Sequence, residues 1–272
     1  MPPRPHVLNR SYLPSDLIPH LRRNHVAGAI VVQAIHSLQE TAWLLELSTQ
    51  NDFILGVVGW VDLAGADLPA VLERLMENPR FVGVRHQTDL EPNEDWLIHS
   101  HTLRGLREMA RRGLPFDLLI SPRHLPLVPR LMAEVPDLRV VIDHLAKPGF
   151  RSDVFPGWKK DLATVAALPG VYCKVSGMMT EGGPDGWSTD RFAPYFEHLV
   201  NAFGYERLMW GSDWPVSLMA ASYDHVFSVS SALPANASQP EREAFFSGNA
   251  LTFYRIDRNL IPSAATGHNS IP

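Results

Sequence analysis

The feature that most constrains the fold is a repeated alternation of short apolar segments with longer amphipathic ones. Most of the short segments are rich in β-branched or aromatic residues and are nearly continuous in apolar character. Strands that are covered on both faces, as in a parallel sheet, have this composition. The predicted strands are Ala29–Ala34, Phe53–Asp62, Phe81–His86, Phe116–Ile120, Arg139–Leu145, Val171–Gly177 and Arg207–Asp213.

The amphipathic segments between these strands predict helices. Alternation of strand and helix with short connections is typical of parallel β–α–β units. Sustained over this length, it favours a TIM-type (β/α)8 barrel over an open doubly wound sheet, and no glycine-rich phosphate loop follows any strand. The predicted helices are Ser37–Gln50, Ala66–Asn78, Ser100–Arg112, Arg123–Glu134, Trp158–Ala167, Thr189–Phe203, Ser222–Ala232 and Pro240–Tyr254.

The strand count is seven, one fewer than a closed barrel of this type has. Residues 1–9 hold three prolines and are poorly suited to replace the missing strand. We therefore predict a barrel that lacks its first strand, with a gap between Ala29–Ala34 and Arg207–Asp213. The expectation is a longer natural chain with roughly 25 extra N-terminal residues, or a gap filled by a swapped segment or a partner subunit.

The chain is expected to form one domain. Residues 1–255 make up the barrel, and residues 256–272 form a mobile C-terminal tail, because no apolar period follows Tyr254. The glycine-rich segment Thr180–Ser188 follows a strand, so we expect it to lie over the active face as a lid or rim.

Composition limits the classes of partner. Of the 272 residues 19% are charged and the formal net charge is −5, which gives no basic surface for nucleic acid or an anionic membrane. The single cysteine, Cys173, excludes an internal disulfide and fits a reducing compartment. No apolar stretch reaches the roughly 18 residues that span a bilayer. We expect a cytoplasmic protein with a small-molecule substrate, and self-association as a homo-oligomer stays open.

Polar residues stand where the predicted strands end, and these ends form the active face of such a barrel. Asp213 follows the last strand, where a carboxylate can take a proton from water or bind a metal. The competing interpretation is an aspartate that caps a helix or bonds to loop amides. His144 ends an earlier strand and can act as acid, base or ligand, or else pack as a core histidine. Asp213 and His144 are the candidate catalytic residues.

Lys174 lies inside a strand and shares the face of Tyr172 and Ser176. A buried ammonium is costly without an anionic partner, so we predict that Lys174 points into the barrel, within contact of Asp213 or of a bound anion. An ion pair with Asp213 or Asp143 is the alternative.

The strand Phe81–His86 ends in Arg85 and His86, of which one faces the lumen, although parity alone does not decide which. Gln33 closes the first predicted strand and is a weaker candidate for the rim. Together with Lys174 and Trp214, these residues form the predicted substrate-binding set.

Four motifs carry a resemblance to a known family. GSDWP at 211–215, DHLAKP at 143–148, GVRH at 83–86 and GNALTFY at 248–254 resemble the amidohydrolase-related, metal-dependent hydrolases. Two further segments, VVQAIHSLQETAWLLELS at 31–48 and GVVGWVDL at 56–63, are similar to the sugar-lactonase branch of this family. That branch includes fuconolactonase-like and rhamnonolactonase-like enzymes and is related to pyrone-dicarboxylate lactonase. The resemblance runs from about Ser11 to Tyr254.

The resemblance implies a distorted (β/α)8 barrel that opens a lactone by adding water. Asp213 matches the aspartate that serves as general base, and His144 matches a histidine near the scissile ester. Arg85, His86 and Lys174 fall where the family holds substrate oxygens or the developing oxyanion. These roles agree with the chemistry, since water is a poor nucleophile until it is deprotonated.

The resemblance departs from the superfamily in its metal ligands. The His-x-His pair of the first strand is missing, and so is the histidine of the fifth. His144 and Asp213 alone remain of the usual ligand set, too few for a tight site. The expected cofactor is therefore one divalent metal, with zinc first, or none. Two alternatives to the lactonase stay open: a metal-dependent decarboxylase, and an inactive barrel that binds without turnover.

Overall fold

In the computed structural model, which describes residues 6–150, 154–182 and 188–262, all seven predicted strands are present. They lie parallel in one sheet whose order follows the chain, so that each strand pairs with the next one in sequence. The strands are β1 (Ala29–Val32), β2 (Ile54–Gly59), β3 (Phe81–Gln87), β4 (Phe116–Leu119), β5 (Val140–Ile142), β6 (Val171–Val175) and β7 (Leu208–Trp210).

The helices agree with the predicted segments in most places. The described ranges hold α1 (Pro14–Arg23), α2 (Leu38–Gln50), α3 (Leu68–Met76), α4 (Ser100–Arg111), α5 (Val128–Glu134), α6 (Phe155–Ala166), α7 (Met178–Glu181), α8 (Thr189–Phe203), α9 (Tyr223–Ala232), α10 (Gln239–Glu243) and α11 (Asn249–Phe253). Of these, α1 and α7 were not predicted.

Two predicted helices are broken. The segment predicted as Arg123–Glu134 begins as a 3-10 helix over Pro122–Leu127 and becomes α5 only afterwards. Pro126 and Pro129 each remove a backbone donor that an uninterrupted α-helix needs. The last predicted helix is interrupted by a π-helical turn at Ala244–Gly248, which lies between α10 and α11.

Both faces of the sheet are covered, which explains the continuous apolar strands. On the outer face, Phe116, Leu118, Val140 and Ile142 belong to a cluster that includes the buried faces of the helices. On the inner face a second cluster joins strand residues to the end of the chain: Leu55, Val58, Val82, Val141, Met209, Leu251, Phe253, Tyr254 and Ile256. The segment after β7 therefore packs inside the curve of the sheet and reaches at least Ile256. Residues 263–272 of the predicted tail lie outside the described residues.

The sheet has two ends, at β1 and β7, as the prediction of a missing strand requires. Among the described residues these two strands pair only with β2 and β6 respectively. All four residues of β1 are partly exposed, whereas all six of β2 are buried, as expected for an edge. The architecture is a TIM-type (β/α)8 barrel of which the described residues form seven strands.

The helices beside the gap are tied to each other. The Asn24 amide donates to Asp224 Oδ1 over 2.7 Å, the Arg23 guanidinium also bonds to Asp224, and the His20 ring stacks on Tyr223 at 5.3 Å. These contacts join the end of α1 to the start of α9. Within the described ranges, no helix is both long and apolar enough to cross a membrane.

Candidate active site

His144 lies just beyond β5, on a turn of left-handed backbone. Residues His144, Leu145, Ala146 and Lys147 all have φ between 51° and 56°, a conformation that costs a non-glycine residue roughly 1–2 kcal/mol. Because the strand ends at Ile142, strand parity does not apply to His144. Strain of this kind concentrates where function fixes the backbone.

Asp213 lies beyond the end of β7 and faces His144. Its φ is 54°, so both candidate catalytic residues occupy left-handed backbone. His144 Nε2 and Asp213 Oδ1 are 3.7 Å apart, and the two side chains are 14% and 13% exposed. This separation is longer than a hydrogen bond. Each group can therefore still contact a water molecule or a substrate atom.

Residues at the end of β6 hold the His144 ring in place. The Ser176 hydroxyl lies 2.8 Å from His144 Nδ1. Gly177 has a φ of 67°, and a Cβ there would lie 2.8 Å from His144 Cγ. The glycine therefore lets the ring pack directly on the backbone. Thr180, on α7, places its hydroxyl 3.4 Å from Asp213 Oδ2.

Residues 183–187 of the loop predicted as a lid, Thr180–Ser188, lie outside the described residues. Of the loop's described part, Thr180 and Glu181 belong to α7.

Lys174 points into the barrel, as its parity in the strand predicts, but it forms no ion pair with Asp213. Its ammonium lies 2.5 Å from Asp117 Oδ2 and 2.8 Å from Asp143 Oδ1. Both carboxylates are almost fully buried. Of the partners weighed from sequence, the structure has Asp143, and it adds Asp117. The ammonium is thus neutralised by the protein itself.

The network around Lys174 has two further members. The Tyr254 hydroxyl donates to both oxygens of Asp117, over 2.9 and 2.8 Å. Arg85 Nη1 donates to Asp143 Oδ2 over 3.1 Å. Of Arg85 and His86, it is therefore Arg85 that faces the lumen. Two cations and two carboxylates compensate each other inside the barrel, directly beside the turn that carries His144.

Charge and burial oppose each other in this network. Burial alone would raise the pKa of Asp143, but Lys174 and Arg85 outweigh it and hold that pKa below its usual value. For Asp117 burial prevails and raises the pKa, although Lys174 acts against it. Burial would lower the pKa of Lys174, yet Asp117 and Asp143 raise it well above its ordinary value. Lys174 therefore stays an ammonium throughout the physiological range.

His86 lies on the opposite face of β3 from Arg85, in a stack of aromatic rings. Its ring centroid is 4.0 Å from that of His36 and 3.9 Å from that of Trp96. Trp60 Nε1 donates to His86 Nδ1 over 3.2 Å, and Glu91 Oε1 lies 2.6 Å from His86 Nε2. His86 is thus bonded on both ring nitrogens, away from the His144 turn.

Gln33 and Trp214 retain unpartnered polar atoms. Gln33 is fully buried and its Nε2 donates to the Arg85 carbonyl over 3.1 Å. Within the described residues, Gln33 Oε1, Arg85 Nε and Trp214 Nε1 are buried without a hydrogen-bond partner. Buried polar atoms are nearly always satisfied, so each of these three atoms would be stabilised by a polar partner.

The His144–Asp213 pair does not fit a metal centre on its own. Catalytic zinc takes three protein ligands and structural zinc takes four. In the part of the chain that the structure describes, the only group of three histidine, cysteine, aspartate or glutamate side chains with converging ligand atoms is His36, His86 and Glu91. The pair thus supplies two ligands, and we derive no step through a metal there.

Sequence reasoning missed Asp117, Glu91 and Tyr254 as parts of the site. Asp117 interrupts the apolar run FDLLI, which is the signal that singled out Lys174 in its own strand. Tyr254 stands in the motif GNALTFY, but only the folded chain shows that α11 delivers it to the inner face. Asp143, weighed from sequence as an alternative partner of Lys174, faces the lumen, where its Oδ1 lies 2.8 Å from the Lys174 ammonium.

Comparisons with known proteins place the chain in a family. The amidohydrolase family model matches residues 1–256. An L-fucono-1,5-lactonase of Burkholderia ambifaria is 36% identical over 256 residues, which cover 93% of this chain and 88% of that protein.

Two crystal structures of an amidohydrolase from Burkholderia multivorans are also similar. One, with bound HEPES, is 33% identical with a TM-score of 0.89, and the other, with bound zinc, is 34% identical with a TM-score of 0.87. Each alignment covers 92% of this chain and 91% of the other. This chain belongs to the amidohydrolase family and, within it, to the sugar-lactonase branch.

Proposed function

We propose that the chain hydrolyses the lactone of a sugar acid. The observation that carries the proposal is the His144–Asp213 pair, which two strand ends hold 3.7 Å apart at the mouth of the barrel. The similarity to an L-fucono-1,5-lactonase at 36% identity supports a sugar lactone as the substrate class. A lactone is neutral, which agrees with a site whose inner charges already compensate each other.

In the proposed reaction Asp213 is the general base. Its carboxylate takes a proton from a water molecule as that water attacks the lactone carbonyl, a role typically worth about 10²–10⁴-fold in rate. His144, held by Ser176 through Nδ1, presents Nε2 to the reacting centre. In the protonated form it stabilises the oxyanion and then donates a proton to the leaving alkoxide, so that the ring opens.

The substrate-binding set divides into two groups under this proposal. Arg85 Nε and Trp214 Nε1 donate to substrate oxygens, and Gln33 Oε1 accepts from a substrate hydroxyl; these three polar atoms lack a partner within the described residues. Lys174 is paired with two buried carboxylates and His86 is bonded on both ring nitrogens, so we propose that in lactone hydrolysis they position their neighbours and do not contact the substrate. Lys174 does so by fixing Asp143, the residue before His144.

The proposed cofactor is a single zinc ion or none. The zinc in one of the Burkholderia multivorans structures makes zinc the metal to test first. Elemental analysis of the purified protein answers this directly. The buried free thiol of Cys173 fits a reducing compartment, and we propose that the enzyme is cytoplasmic.

The test of function is a panel of aldono-1,4- and aldono-1,5-lactones, with acid release followed at constant pH. We expect saturable hydrolysis of at least one lactone well above the spontaneous rate. Release of carbon dioxide from a carboxylated aromatic compound, without lactone hydrolysis, would instead support the decarboxylase. Binding of a lactone without turnover would support the inactive barrel.

A further inference from the structure

We propose that His36, His86 and Glu91 form a binding site for a divalent transition-metal ion, zinc in the first place, separate from the His144–Asp213 pair. The site shares no residue with the proposed catalytic pair. It does not rest on the proposed function, because metal binding there is measured without any substrate.

The geometry of the three side chains carries the proposal. One ligand atom from each of them lies within 4.8 Å of the other two. Zinc binds imidazole nitrogen and carboxylate oxygen at about 2.0–2.2 Å in tetrahedral geometry, so two ligands of one ion lie about 3.4 Å apart. Side-chain rotations that shorten the widest separation by at most about 1.4 Å bring the three atoms into range. Two histidines and a glutamate also form a known set for zinc with an open fourth position.

Neighbouring elements hold the rings where the ion would need them. His36 follows β1, His86 belongs to β3, and Glu91 follows a short turn after β3. His86 lies between His36 and Trp96 in a continuous stack, with centroid distances of 4.0 and 3.9 Å. His36 is exposed, so an ion can reach the cluster from solvent.

Hydrogen bonds already occupy ring nitrogens of both histidines. The Gln87 N–H donates to His36 Nε2 over 3.1 Å, which leaves Nδ1 of His36 for an ion. The bond from Trp60 to His86 opposes the ion directly and provides a sharp test. Trp60 Nε1 donates to His86 Nδ1, which leaves the imidazole proton on Nε2, where it faces Glu91. Coordination through Nε2 requires that proton to move to Nδ1, where it would face the Trp60 N–H. Removing this N–H should therefore strengthen metal binding while the stacked ring is retained.

The experiment is a zinc titration of the purified, metal-stripped chain in competition with a chromophoric chelator. We expect one zinc ion per chain. Glu91→Gln should weaken binding at least about tenfold, because loss of a direct ligand should cost no less than the roughly 10–100-fold that loss of an outer partner costs. Trp60→Phe should tighten it. His101→Asn, at an exposed histidine on α4, and Asp213→Asn should leave the affinity unchanged.

Thermal unfolding of every variant confirms that it is folded before its affinity is compared. Three results would overturn the proposal: no zinc binding by the wild-type chain, unchanged affinity in folded Glu91→Gln, or loss of binding in folded Asp213→Asn. The last result would place the ion at the catalytic pair instead. None of these readouts depends on lactone turnover, so the site and the proposed function can fail separately.

Discussion

Replacing Lys174 with methionine should destabilise the fold strongly, because the change leaves two buried carboxylates without their shared cation. Asp117 and Asp143 have side chains that are 0% and 1% exposed, and the ammonium lies 2.5 and 2.8 Å from them. Methionine has a similar length and adapts to irregular apolar surroundings, so packing changes little. The loss is mainly electrostatic.

The magnitude follows from what remains around each carboxylate. Removing one partner of a buried ion pair typically costs about 3–5 kcal/mol. Asp117 keeps the Tyr254 hydroxyl and Asp143 keeps Arg85, so we expect the lower end, about 3 kcal/mol. For a domain of this size each kcal/mol lowers Tm by roughly 2–4 °C. The expected fall in Tm is therefore about 6–12 °C.

The assay is thermal and urea unfolding of Lys174→Met beside Arg107→Met. Arg107 also forms an ion pair, 2.6 Å from Glu134, but these side chains are 48% and 55% exposed. Exposed pairs are worth about 0–1 kcal/mol. The double variant Lys174→Met with Asp117→Asn should recover part of the loss, because one buried charge is gone. A fall for Lys174→Met no larger than that for Arg107→Met would refute this reasoning.

Three further predictions concern single sites. Gly177→Ala should lower kcat at least about tenfold by displacing the His144 ring, whereas Gly157→Ala, where a Cβ meets nothing within 4 Å, should leave kcat unchanged. Burial lowers the pKa of folded His86 to about 4, whereas the unfolded residue has a pKa of about 6.5. Between these two pH values the unfolded chain binds more protons than the folded chain, so acid favours unfolding. Urea titrations should therefore show that the wild type loses more stability than His86→Gln as the pH falls from about 6.5 to about 4. Burial raises the pKa of Cys173, so a thiol reagent should modify the protein only as fast as it unfolds, and rapid labelling of the native chain would contradict this.

The sequence predicts the strands well because most of them are buried on both faces. A run such as Ile54–Gly59 contacts helices on one side and the inner cluster on the other, so it needs no polar alternation. The same argument predicts the edges, since the missing strand leaves β1 and β7 as the two ends of the sheet. The register between strands and the ends of the helices are harder to predict from the sequence.

The inward direction of β3 could not be predicted from its own sequence. Val57 pairs with Phe81 but Val58 pairs with Gly83, so Val82 is an extra residue that reverses the parity after it. Arg85 consequently faces the lumen and His86 the opposite side. In FVGVRHQ only Gly83, a glycine inside a strand, hints at a bulge, and the bulge itself is set by the pairing with β2.

The partners of Lys174 depend on register across three strands. Asp117 is level with Val141, and Val141 with Tyr172, so Asp143 and Lys174 lie at one height above Asp117. A single strand cannot reveal which carboxylate lies at that height. By contrast, the pairing of His144 with Asp213 was predictable, because the carboxyl ends of all strands meet at one face of the barrel.

The most direct test of the proposed mechanism is the kcat of Asp213→Asn on the lactone that the wild-type chain hydrolyses best. Asp137→Asn is the matched control, since Asp137 is exposed and precedes β5 at the opposite end of the barrel. We expect Asp213→Asn to lose at least about 10²-fold in kcat with an unchanged Tm, and Asp137→Asn to keep wild-type turnover. A folded Asp213→Asn variant with near-normal turnover would contradict the role of Asp213 as the general base.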